Sequence, residues 1–190
     1  MTTPSSSFRD YQKHILGELK SFTPKQVLAY SIWCAFRLVN SVELGTYLPE
    51  SEINLLQEIL ADAWSWVGDR PRPKAEHVTD LRNRLLCIGP SDPELAIELD
   101  PRVIETLSCV EIALVCYLTE SMVDARNAAQ CLINVIDYET DNDFPLETMF
   151  DFPPLRAEYE RQLKMIDYLQ TATLGRTSLE QLRSFERFFR

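Results

Sequence analysis

Asp100-Pro101-Arg102-Val103-Ile104-Glu105-Thr106-Leu107-Ser108-Cys109-Val110-Glu111-Ile112-Ala113-Leu114-Val115-Cys116-Tyr117-Leu118 decides the fold class. A carboxylate able to cap free amides stands before a proline at the first helical position, where the missing N–H costs nothing. The residues that follow are apolar over most of a helix circumference, which predicts a central helix. Its longest uninterrupted apolar run, Ile112 to Leu118, is seven residues. A bilayer span needs roughly 20, so this is a core helix.

The same devices recur on both sides. Upstream, Phe8, Tyr11, Ile15 and Leu19 repeat at helical spacing. Thr23-Pro24 with Gln26 forms a capping box ahead of Leu28, Ile32, Ala35, Val39 and Val42, with an end expected near Gly45. A helix from about Glu50 to Val67 places Ile53, Leu56, Leu60, Ala63 and Val67 on one face, and Gly68 closes it. Asp69 to Lys74 carries two prolines and reads as an extended basic linker, followed by a short helix from about Glu76 to Cys87. Asp92 to Glu98 has room for a turn or two.

Downstream, Ser121 and Asp124 start a helix carrying Ala125, Ala128, Ala129, Leu132, Val135 and Ile136. A loop is expected from about Asp141 to Pro153, then a helix from Pro153-Pro154 to Gly175, and a last one from Thr177. The expectation is an all-α domain of about eight helices over residues 8–190, without a sheet, preceded by a disordered tail over 1–7. The tail has neither basic nor apolar character, so it is no signal peptide, and a cytoplasmic location is expected.

Charge is segregated. Between Leu85 and Leu155 there are fourteen acids and two bases, Arg102 and Arg126, a local net of −12. Residues 1–84 are neutral and residues 156–190 carry +2, so one segment sets the total of −10. Phosphate binding needs clustered Lys and Arg, which excludes a nucleic-acid grip in that segment. It suits a basic protein partner, whose approach it would steer. Asp137, Glu139, Asp141, Asp143, Glu147 and Asp151 fall where no Lys or Arg occurs between Asn127 and Leu155, and they are the candidate partner-binding residues.

No motif assigns catalysis. The two histidines, His14 and His77, are 63 residues apart, and neither lies beside a cysteine. Asp137-x-Glu139-x-Asp141-x-Asp143 differs from a calcium loop by Asn142 at position six and Thr148 at position twelve, so no metal is expected there. Five cysteines, none in C-x-x-C spacing, read as reduced thiols, at least four of them buried. Glu111 falls at the edge of a polar stripe with Glu105, Ser108, Thr119 and Glu120. Trp33 and Trp64 are assigned to the core. Trp66 lies off the face of Ala63 and Val67 and joins the partner-binding candidates. No cofactor is expected.

Trp33-Cys34-Ala35-x-Arg37 in the helix opened by Thr23-Pro24, Trp64-Ser65-Trp66 at the end of the next, and Pro154-Leu155-x-x-Glu158-Tyr159-x-x-Gln162 near the end carry a likeness. Over most of residues 10–172 the chain resembles all-helical bacterial immunity proteins of the fifth immunity family, and also the helical family called domain of unknown function 416. The resemblance implies an acidic residue before Arg37. Phe36 stands there, so a partner for Arg37 has to come from elsewhere. Three functions follow as expectations: a non-enzymatic immunity protein neutralising a basic toxin such as a nuclease; a helical protein of the second family with an unknown partner; or a metal-assisted enzyme using acids among Glu105, Glu111, Asp124 and Asp137. The oligomeric state is left open.

Overall fold

A computed structural model describes residues 5–68, 74–88, 99–140 and 144–174. Seven α-helices lie in these residues, with no strand among them: α1 (Phe8–Leu19), α2 (Pro24–Ser41), α3 (Glu50–Val67), α4 (Ala75–Leu85), α5 (Pro101–Thr119), α6 (Met122–Thr140) and α7 (Pro153–Thr171). Single 3-10 turns occupy Leu44–Thr46 and Met149–Asp151. The expected last helix from Thr177 and the turns at Asp92–Glu98 lie outside the described residues, as do the prolines of the basic linker.

The caps read from sequence are in place. Thr23 Oγ1 accepts from the Gln26 amide, and Gln26 Oε1 accepts from the Thr23 amide at 2.8 Å. Gln26 then donates to the Leu169 carbonyl at 2.7 Å, which ties the start of α2 to the last turns of α7. Asp100 accepts from the Arg102 amide and opens α5. Ser7 caps α1 by accepting from the Asp10 amide. Of the expected tail, residues 1–4 lie outside the described residues. Ser6 is engaged: its carbonyl accepts from the Phe150 amide at 2.9 Å.

The most enclosed helix is α2 rather than α5. All ten residues from Val27 to Phe36 are buried, and α2 packs against α3, α5, α6 and α7. Helix α5 packs against α2, α3, α4 and α6 and keeps an outer stripe on which Ile104 and Leu118 are exposed. The reason is in the composition: after the first turn, α2 carries Arg37 as its sole charged residue, whereas α5 carries Arg102, Glu105 and Glu111. The break between α5 and α6 falls on Glu120, whose φ of 53° is left-handed and whose amide donates to the Cys116 carbonyl. Glycine usually fills such a helix-terminating position.

Cys34, Cys109, Cys116 and Cys131 are buried and Cys87 is exposed, all five as free thiols. No helix among the described residues is long and apolar enough to cross a membrane.

Candidate functional site

Two of the three sequence strings that carried the likeness meet in the interior. Glu158, on the buried face of α7, has a side chain 1% exposed, and Arg37 of α2 has one 11% exposed. Their contact is bidentate: Arg37 Nη1 donates to Oε1 at 2.5 Å and Nη2 to Oε2 at 2.8 Å. Arg161 donates to Glu158 Oε2 at 3.3 Å and Gln162 to Oε1 at 3.2 Å. The Arg37 guanidinium also lies 4.9 Å from the centre of the Trp33 ring. The partner of Arg37 is thus Glu158, 121 residues further along the chain. A buried carboxylate persists only when its charge is matched in this way.

Gln162 extends the network. It donates to the Ala129 carbonyl at 3.0 Å and accepts from the Tyr11 hydroxyl at 2.9 Å. One side chain therefore joins α1, α6 and α7, and the bond from Glu158 brings in α2. Tyr11 packs edge-on against Tyr159 at 4.9 Å, and the Tyr159 hydroxyl lies 2.6 Å from His14 Nδ1. Burial pushes the Tyr11 hydroxyl well above its ordinary pKa, and the neighbouring Cys34 thiol and Glu158 carboxylate add to it. The hydroxyl is a permanent proton donor at neutral pH. Two further buried polar atoms of α2, the Tyr30 hydroxyl and Trp33 Nε1, have no hydrogen-bond partner among the described residues.

The second arrangement is acidic and lies at the open end of the α5–α6 hairpin. Asn134 donates to Glu105 at 2.9 Å, and Arg102 lies 4.0 Å from Glu139, which fixes residues 101–105 beside 134–139. Arg102 is clamped by Asp100: Nε donates to Oδ1 at 2.8 Å and Nη2 to Oδ2 at 2.7 Å. Tyr47, between α2 and α3, donates its hydroxyl to Asp100 Oδ2 at 2.8 Å. Hydrogen bonds from the Arg102 side chain, reinforced by Tyr47 and the Arg102 amide, hold the Asp100 carboxyl well below the usual carboxylate range.

Of the residues expected to bind a partner, Glu139, Glu147 and Asp151 are exposed and Asp137 is half-buried; Asp141 and Asp143 lie outside the described residues. Asp151 is structurally engaged, accepting from Ser6 Oγ at 2.5 Å and lying 3.4 Å from Arg156. Trp66 requires correction. It is buried, its ring 4.3 Å from that of Tyr117 and 6.1 Å from that of His77. Off the face that meets α2, it is covered by α5, a second neighbour of α3. It forms part of the wall of a cleft of about 190 Å³ with Pro24, Lys25, Leu28, Cys116, Tyr117 and Glu120.

The acids considered for metal-assisted chemistry are engaged separately. Glu105 accepts from Asn134, Glu111 from Arg82 at 2.6 Å and Asp124 from Thr119 at 2.8 Å. Among the described residues no group of three or more His, Cys, Asp or Glu is placed to hold a metal ion.

No family model and no curated protein matches the chain. The fold is similar to that of a DUF416 family protein from Shewanella baltica OS155, whose crystal structure was determined at 1.91 Å resolution. The TM-score is 0.65 at 17% sequence identity, with 92% of each chain covered. The likeness is one of fold, and it agrees with the second family named from the sequence.

Proposed function

We propose that this protein is a non-enzymatic binding protein of DUF416-like fold that receives a basic protein partner on its acidic side. The observation that supports this reading is the segregation of charge: −12 between Leu85 and Leu155 in a chain that is neutral before it and slightly positive after it. Self-repulsion on that scale costs stability, and an oppositely charged partner relieves it while gaining association rate. The fold comparison supports a helical protein whose partner is unknown. The finer reading, an immunity protein neutralising a basic toxin, is one instance of the same chemistry.

The test is kinetic. Partners are trapped by crosslinking in the native host, and a basic one is purified for stopped-flow association at two salt concentrations. Replacing Glu139, Asp141 and Asp143 together by Gln, Asn and Asn should leave the helical circular dichroism intact and slow association roughly tenfold at low salt. A salt-independent rate, unchanged in the triple variant, refutes the acidic side as the docking face. Protection of cells from a toxic partner by this protein, lost in the same variant, would support the immunity reading; a harmless partner would refute it.

A further inference from the structure

Helix α5 has the composition of a helix enclosed on nearly every side, yet the fold leaves one side of it open. Contacts mark the sides that are covered. Toward α6, Glu105 accepts from Asn134 and the Cys109 thiol donates to the Ala128 carbonyl. Toward α2 and α3, Cys116 accepts from the Ser31 hydroxyl and the Tyr117 ring meets that of Trp66. What remains is a row at steps of four, three, four and three residues: Ile104, Ser108, Glu111, Val115 and Leu118. At 3.6 residues per turn these five lie within an arc of about 80°, so they share one face, and the row runs roughly 21 Å along the axis. Glu111 accepts from Arg82 of α4 and so marks the α4 edge of that face.

Ile104 and Leu118 are 45% and 40% exposed, and Val115 is half-buried. Leu107 on one edge of the row and Ile112 on the other are partly buried and widen the apolar strip. A single exposed leucine calls for no explanation. Apolar residues recurring on one face over about four turns do, because a helix apolar on nearly all sides is ordinarily covered on nearly all sides. The strip also lies inside the acidic segment. Residues 100–120 carry Asp100, Glu105, Glu111 and Glu120 against Arg102, a net of −3. A second copy of the chain would bring the same charge to this face, whereas a basic partner is complementary to it. Glu111 adds a specific acceptor: both bonds from Arg82 fall on Oε1, at 2.8 and 2.6 Å, and Oε2 accepts none among the described residues. The shape of the occupant is set as well. Steps of four and three form the seam that one helix offers to another. No strand edge exists among the described residues for an extended peptide to join.

Building on the function proposed above, we propose that the outer face of α5 is the docking surface for an amphipathic helix of the basic partner. Apolar side chains of that helix seat on Ile104, Val115 and Leu118, and a basic residue in its middle turns meets Glu111 Oε2. The acids steer the helix in and the apolar row holds it. Loss of the row therefore speeds dissociation more than it slows association.

The probes are two synthetic basic peptides of identical composition. One places leucine at heptad spacing with lysine and arginine on the flanks, and the other is scrambled so that the spacing is lost. Binding is measured by fluorescence anisotropy at low and physiological salt. The expected result is at least tenfold tighter binding of the heptad peptide to the wild-type protein. That preference should vanish in the Ile104→Ser/Leu118→Ser variant and survive in Leu146→Ser, a change at an exposed leucine elsewhere on the surface. Both positions of the double variant are exposed; Leu118→Ser alone, expected to show a partial loss, serves if the double variant does not fold. A preference that persists in the serine variants overturns the α5 face. Equal binding of both peptides, weakened by salt but untouched by the serine variants, overturns it too and leaves the acidic reading standing. Failure of both peptides to bind wild-type protein at low salt overturns both readings. A wild-type dimer in analytical ultracentrifugation that the double variant turns into a monomer gives the face to a second copy and overturns the basic helix as its occupant.

Discussion

Replacing Glu158 by Gln tests whether the α2–α7 contact is held by charge. The substitution preserves shape. It removes the negative charge from a side chain that accepts from Arg37 twice, from Arg161 and from Gln162. The new amide also turns donor protons toward a guanidinium that can only donate. Breaking a buried pair by removing one partner costs about 3–5 kcal/mol. Arg37 retains a little solvent access, which favours the lower end, about 3 kcal/mol. For a chain of this size each kcal/mol shifts Tm by roughly 2–4 °C, so the expected fall is about 6–12 °C. Urea denaturation followed by circular dichroism gives the free energy directly. The companion measurement is Arg37→Met with Glu158→Met, a double variant expected to lose clearly less than the two single variants added together. A loss below about 1 kcal/mol in Glu158→Gln, or strict additivity in the cycle, refutes the argument that the pair's charges are mutually dependent.

Tyr11 and Tyr30 make a contrasting pair. Tyr11→Phe removes a hydroxyl bonded to Gln162 and should cost about 1–2 kcal/mol, whereas Tyr30→Phe removes one without a hydrogen-bond partner among the described residues and should be neutral or stabilising by about 1 kcal/mol; chemical denaturation of both variants decides this. Rapid thiol labelling of the native protein should modify one cysteine and stop, and Cys87→Ser should abolish the reaction, as mass spectrometry would show. Burial pushes the Cys116 thiol up to about 11 from an ordinary value near 9, and pushes Cys34 and Cys109 up as well. The folded state holds these protons where the unfolded state releases them, so the stabilisation is complete below about pH 9 and declines as pH rises toward 11. Melting temperatures measured across that interval should fall, and Cys116→Ala should make the fall shallower.

Much of the helix pattern was legible because its signals are local. Apolar residues at three- and four-residue steps placed α3 at Glu50–Val67, and a capping oxygen with a proline in the first turn opened α5 at Pro101. The end of α5 was read at about Leu118, one residue short of Thr119, although a glutamate occupies the left-handed position where glycine would have signalled it. Trp66 was misplaced for another reason: a single apolar face presumes one neighbour, and α3 has several. The partner of Arg37 depends on tertiary contact across 121 residues. A clue to it does lie in the sequence. Glu158 and Gln162 share a helical face with Leu155, Ile166 and Leu169, and a carboxylate on such a face has to find a buried cation. The acidic segment was plain in the composition, but the bond from Tyr47 to Asp100 was not, because it spans 53 residues and forms only through the fold.

The tie between the first helix and the last has a consequence for synthesis. The Phe8 amide donates to the Leu146 carbonyl, the Ser6 carbonyl accepts from Phe150, and Tyr11 waits for Gln162. A ribosome adds roughly 5–20 residues per second. At that pace α1 emerges roughly 8–30 s before the residues that receive it. During that interval its buried face, Tyr11, Ile15 and Leu19, has no native cover from α7. The nascent chain therefore offers chaperones an apolar helix throughout that interval, and commitment to the native topology waits for the last described helix to be made.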